Sequence, residues 1–279
     1  MRKLTSLMLY TVITVIVWSC QKEKVADQIP IQEISEPTKP QLNKLCNMGI
    51  NTSKVTIQDV TFIDGSSGKH LVAGDIMVPI NGLNEYPELK PVENNNKQFQ
   101  TANLVSIPYR NINILGYTGN GFALTSKMQT ALRWAVANYN EVGTTIRFNL
   151  TFGTNYTAAD MVVYAINEVG IGGSAGILDP SGRPYKWIRV NLGTNAYSIN
   201  VNEHVIGHEI AHCIGFRHQD WYNHQSCGYS GPLPAEPLAI WIEGTPWSPY
   251  EDSITLTCFD TGTDGELSPS DILALNILY

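Results

Sequence analysis

The chain has 279 residues, 43% of them hydrophobic and 15% charged, enough to bury a sizeable core and too apolar for general disorder. Its 18 Lys and Arg against 25 Asp and Glu leave a formal net charge of −7, with no long basic run. That argues against nucleic acid as a partner, because binding phosphates needs a basic face.

Arg2 and Lys3 precede an uncharged apolar run from Leu4 to Trp18. At about 15 residues this run is short of the roughly 20 that span a bilayer, and it suits the core of an export signal. It closes on Val17-Trp18-Ser19-Cys20, where a small residue before Cys resembles the lipobox of bacterial lipoproteins, although Trp18 departs from that pattern. Residues 1–19 are therefore expected to be a signal peptide and Cys20 the lipidated residue, with ordinary secretion as the alternative. Gln21-Lys22-Glu23-Lys24 resembles the surface-export signals of some Gram-negative lipoproteins. Residues 20–40, polar with Pro30, Pro37 and Pro40, read as an extended tether. The expected location is the bacterial outer membrane, facing the cell surface, in a compartment that permits disulfides.

Gln41 to Met48 forms a short amphipathic piece with Gly49 as its stop. Lys54 to Ile63 and His70 to Val78 alternate apolar residues as strands do. Asn81 to Gln100, with Asn94-Asn95-Asn96, reads as an exposed linker. A small module over residues 41–102 thus precedes a larger one over 103–279. The larger module opens on a helix in which Met128, Ala131, Leu132, Ala135, Val136 and Tyr139 share a face, with Ser126 as cap and Gly143 as stop. Ile146 to Phe152, Met161 to Ile166 and Trp187 to Leu192 read as strands, separated in part by the glycine-rich Gly170–Gly176.

The decisive segment is His208-Glu209-Ile210-Ala211-His212-Cys213-Ile214-Gly215-Phe216-Arg217-His218. On a helix, His208 and His212 lie one turn apart on one face, and two imidazoles at that spacing can grip one Zn²⁺. Glu209 sits beside the first of them, placed to take a proton from water, and is read as the catalytic base. Gly215 can take the left-handed conformation that ends a helix, so that His218 returns as the third ligand and leaves the fourth position for water. His204, four residues earlier, is too far along the axis to join them and is expected at the surface.

This eleven-residue pattern resembles the signature of the metzincin clan of zinc peptidases. Together with Gly172-Gly173-Ser174-Ala175-Gly176, Lys186-Trp187-Ile188, Gly244-Thr245-Pro246 and Asp271-Ile272-Leu273-Ala274-Leu275, it looks like the bacterial dual-action HEIGH metallopeptidases, although this chain reads H-E-I-A-H. The resemblance spans roughly residues 100–279. It implies an α+β fold: a mixed twisted sheet over an active-site helix, a C-terminal subdomain behind the metal, and an edge strand near Gly172 to Ile177 that pairs with substrate backbone. It also implies a Met beneath the metal, but the last Met is Met161, and Thr255 stands where that Met is expected. In the small α/β module, Val72-Ala73-Gly74-Asp75-Ile76 resembles the zinc-blocking propeptide segment of astacin-type enzymes. Asp75 is accordingly the candidate zymogen switch, with the Cys46 thiolate as a rival.

Of the remaining cysteines, Cys213 falls on the apolar stripe and reads as a buried thiol, while Cys227 and Cys258 are the preferred disulfide. Tyr222, Tyr229 and Tyr250 are candidates for stabilising the oxyanion. The function expected is a monomeric zinc endopeptidase acting on proteins or peptides and held at a membrane by its lipid. The alternative is a non-catalytic surface lipoprotein that keeps zinc as a staple and binds protein partners.

Overall fold

A computed structural model describes residues 36–89, 99–220, 224–228, 240–246 and 252–279. The proposed signal peptide, Cys20 and most of the tether lie outside these residues, as do Tyr222, Tyr229 and Tyr250. Helix α1 spans Lys39–Asn47, because Thr38 accepts from the Gln41 amide in a capping box and Pro40 occupies the first turn. Its start therefore takes in the last residues assigned to the tether. Strands β1 (Val55–Thr61), β2 (Ser67–Ala73) and β3 (Ile76–Pro79) form an antiparallel meander. A short pair follows later in the chain, between β4 (Phe99–Gln100) and the distant Ile240–Trp241.

Next come β5 (Asn111–Tyr117), α2 (Ser126–Glu141), β6 (Arg147–Gly153), β7 (Met161–Ile166), β8 (Gly173–Gly176) and β9 (Trp187–Asn191). Helix α3 (Ile199–Cys213), β10 (Ile240–Trp241) and α4 (Pro269–Leu278) complete the order. Helix α2 is capped one residue earlier than expected. Thr125 has extended backbone and its hydroxyl accepts from the Met128 amide, so Ser126 is already helical.

One eight-stranded sheet runs β1-β2-β3-β8-β9-β7-β5-β6. The strands β6, β5, β7 and β9 are parallel, β8 is antiparallel to β9, and β3 joins β8 in parallel. Strand β7 is buried on both faces, which explains its unbroken run of apolar residues. Met161 and Val163 face α2 and α3, where Leu132, Ile206 and Ile210 close the main core. Val162 and Tyr164 point the other way, into a layer with Trp187, Phe62 and Met77. Each fully buried aliphatic side chain contributes about 1.5–3 kcal/mol. The second layer thus joins the N-terminal meander firmly to the larger module.

Within the described residues, the stretch expected to be an exposed linker is packed at both ends. Leu83 and Tyr86 are buried in a small core with Leu45 and Leu71, Leu89 is buried as well, and Phe99 is 3% exposed. The polar composition around Asn94 concealed these widely spaced apolar anchors.

Candidate metal centre

Helix α3 is buried along most of its length, wedged between the sheet and the C-terminal segments, so its histidines are largely shielded from solvent. The Nε2 atoms of His208, His212 and His218 lie 3.0–3.2 Å from one another. His208 donates from Nδ1 to the Ile254 carbonyl at 2.7 Å, and His212 donates from Nδ1 to the Phe216 carbonyl at 3.0 Å. Those bonds place the ring protons of His208 and His212 on Nδ1, which leaves their Nε2 lone pairs free to face the same point. Gly215, at φ +104°, ends α3 and turns the chain so that His218 returns. The return is clamped from outside, since Thr101 N donates to the Gly215 carbonyl and Arg217 N donates to the Phe99 carbonyl.

Asp75 supplies the fourth donor. It sits in the two-residue hairpin between β2 and β3, where Ala73 pairs with Ile76 and Gly74 takes φ +65°. Its Oδ2 is 3.1 Å from Nε2 of both His208 and His218. All four ligand atoms lie within 4.8 Å of one another. Around one zinc ion, bonds of about 2.0–2.1 Å in a tetrahedron place neighbouring donors roughly 3.3 Å apart, so this donor set fits such an ion. Cys46, the rival blocker, is on α1 and is not among the four.

Burial, reinforced by His208, holds His212 well below its ordinary pKa and hence neutral. Burial would lower His208 as well, but the Asp75 carboxylate overrides it and raises that ring. Burial would raise Asp75, yet His218 and its neighbours hold the carboxyl well below the usual range. Glu209 is 1% exposed, and burial followed by repulsion from Asp75 lifts its carboxyl well above the ordinary value. Its Oε2 is buried and has no hydrogen-bond partner among the described residues.

A family model for dual-action HEIGH metallopeptidases matches residues 71–279. This chain belongs to that family. The match begins at Leu71, ahead of the residue-100 boundary expected for the resemblance, and therefore takes in Asp75. As a metallopeptidase the protein uses a metal and acts on proteins or peptides. Two solved structures of myroilysin are similar to it at 13% identity each. One covers 62% of this chain and 81% of its own with a TM-score of 0.38, the other 68% and 88% with 0.36. None of the curated proteins matches.

The metallopeptidase's glycine-rich segment is strand from Gly173 to Gly176. A Cβ on Gly173 would stand 2.9 Å from Glu209 Oε1 and 2.8 Å from the Arg189 carbonyl, so β8 passes this close to Glu209 only because residue 173 has no side chain. Gly173→Ala is expected to push Glu209 aside and cut kcat by about a hundredfold without loss of metal, which kinetics alongside metal analysis would show. The edge of β8 expected to receive substrate is taken. Strand β3 pairs with it, Ile76 opposite Ala175, and Ala175 N donates to the Asp75 carbonyl at 3.0 Å. Beside the metal donors opens a cleft of about 370 Å³, bordered by Asp75, Gly173, Val205, His208, Glu209 and Phe259.

His204 is not at the surface. It is 2% exposed, its ring lies 4.2 Å from that of Phe259, and Nδ1 is 3.2 Å from the Thr263 hydroxyl. Burial pushes its pKa down to about 3. The residues that cover it come from far along the chain, which is why first-turn position misled. Cys213 is a fully buried thiol whose pKa burial raises. Cys227 and Cys258 are joined in a disulfide. At a sequence separation of 31, replacing both by Ser should lower unfolding stability by about 3 kcal/mol in a denaturant titration.

Asp220 had no counterpart in the sequence reading. Two residues beyond His218, it accepts from the amides and hydroxyls of both Ser226 and Thr257, at 2.6–2.9 Å. It pins the chain after the third histidine to the disulfide-bearing segment. A lone Asp between Gln219 and Trp221 carries no pattern that would reveal this.

Proposed function

We propose that the chain is an exported, lipid-anchored zinc endopeptidase in which His208, His212 and His218 hold the metal, Glu209 is the general base, and Asp75 keeps the enzyme latent. The convergence of three Nε2 atoms and one carboxylate oxygen beside a buried glutamate carries this reading. Zinc, when bound, would supply Lewis acidity and shift the ionisation of water towards about pH 7. Glu209 then accepts a proton from the attacking water and returns it to the leaving amine. Its dry, Gly173-lined seat keeps the carboxyl close to the reacting groups. Strand β8 would align an extended substrate once β3 is gone, and the adjoining cleft would take a side chain.

Residues 41–102 act as an inhibitory prosegment in this reading. Asp75 fills the fourth metal position and β3 fills the substrate's place on β8. Residues 1–19 direct export, Cys20 carries the lipid on the outer membrane facing outwards, and residues 103–279 work as a monomeric peptidase. The test is cleavage of casein by zinc-loaded protein after limited proteolytic activation, with and without a chelator. Activity that the chelator abolishes and zinc restores supports the proposal, and chelator-resistant cleavage removes it.

A second reading has one observation in its favour: the centre is closed by four protein donors, as structural zinc sites are. In that case the protein is a zinc-stapled surface lipoprotein that binds protein partners. Bound zinc with no cleavage after removal of the N-terminal module would establish it.

A further inference from the structure

Asp271 is 1% exposed and opens α4 as part of a capping box with Ser268. Its carboxylate does more than cap. Oδ1 accepts from the Ser253 hydroxyl at 2.6 Å, and Oδ2 accepts from Ile254 N at 2.9 Å as well as from Ser268 N and Oγ at 3.0 and 2.7 Å. Ile254 is the same residue whose carbonyl accepts from His208 Nδ1. One peptide segment therefore links the buried carboxylate to a metal-facing imidazole: its N–H is fixed by Asp271 and its C=O fixes His208.

We propose that Asp271 is a positioning residue that aims His208 at the metal through the Ser253–Ile254–Thr255 turn. The proposal rests on the reading of His208 as a ligand. The rest of the turn is built to transmit that constraint. Thr255 N donates to Ser253 Oγ at 3.2 Å, and the Thr255 hydroxyl is 3.0 Å from the same oxygen. The Thr255 carbonyl accepts from Gln219 N at 2.8 Å, immediately after His218. The Ile254 side chain packs beneath Gly207, where a Cβ would stand 3.0 Å from Cδ1. The turn thus touches the chain next to two of the three histidines. It sits where a Met is expected to support the site by packing, and here a hydrogen-bonded seat on a carboxylate takes that place. Asn at 271 would offer one acceptor oxygen, and its NH₂ would face the remaining donors, so the seat would loosen with no loss of volume.

The test measures Zn²⁺ affinity of the full chain, stripped of metal and titrated against a chromophoric chelator, alongside the visible spectrum with Co²⁺. Asp271→Asn and Ser253→Ala should each weaken zinc binding about 10- to 100-fold and alter the Co²⁺ bands. Ser268→Ala, which breaks the helix cap but leaves the bonds to Ser253 and Ile254, should lower the melting temperature with zinc affinity unchanged. Wild-type affinity in Asp271→Asn, or equal weakening in Ser268→Ala, would overturn the positioning role while leaving the centre intact. A wild-type chain that takes up no zinc removes the centre itself and the proposal with it. If Asp271→Asn does not fold, Ser253→Ala decides the matter alone.

Discussion

Glu209→Gln should lower peptide cleavage by about 10²–10⁴-fold in activated protein while leaving the bound metal in place. The substitution keeps the size of a side chain packed against Gly173 and removes only its capacity to take a proton. Glu209 makes no contribution to the four-donor group, so metal content and thermal stability should match wild type. The buried position sharpens the expectation: with 1% exposure, no other water-borne base can stand in at the same point. Casein cleavage and metal analysis on the same preparation check both halves. Equal cleavage by Glu209→Gln and wild type would remove Glu209 from the mechanism, whatever the metal does.

Asp75→Ala should release activity in the unprocessed chain, by about 10- to 100-fold over the latent background. In the proposed latent form the carboxylate is held at the metal position by its own hairpin and would compete with substrate as a tethered ligand at high effective concentration. Removing it opens the fourth position and also relieves the repulsion that lifts the Glu209 carboxyl. Strand β3 would still cover β8, so the released activity should remain below that of protein whose N-terminal module has been cut away. Asp75→Asn should give a smaller rise, since its amide oxygen can still approach the metal. An unprocessed Asp75→Ala chain as inactive as wild type would remove Asp75 as the switch.

Much of the centre could be read before any coordinates, because its signals are local. Two histidines one turn apart, a glutamate beside them and a helix-ending glycine act within eleven residues. The same holds for the apolar face of α2 and for β6, β7 and β9, whose periods reflect a single packing environment. What escaped depends on partners distant in sequence. His204 is covered by Phe259 and Thr263, and nothing in its own turn foretells them. The rings of His208 and His212 are set by the carbonyls of Ile254 and Phe216, and backbone atoms leave no mark in a sequence. The pairing of β3 with β8 joins segments about a hundred residues apart in parallel, and a four-residue match around Asp75 could only hint at it. Leu83, Tyr86 and Leu89, all buried, were lost among polar neighbours, each being a single anchor without a repeat.

X-ray absorption at the zinc edge on the purified full chain reads directly which atoms surround the ion. Three imidazole nitrogens and one carboxylate oxygen are predicted for the wild type, with the carboxylate giving way to a water oxygen in Asp75→Ala. A sphere without imidazoles, or one that is identical in both proteins, would contradict the account.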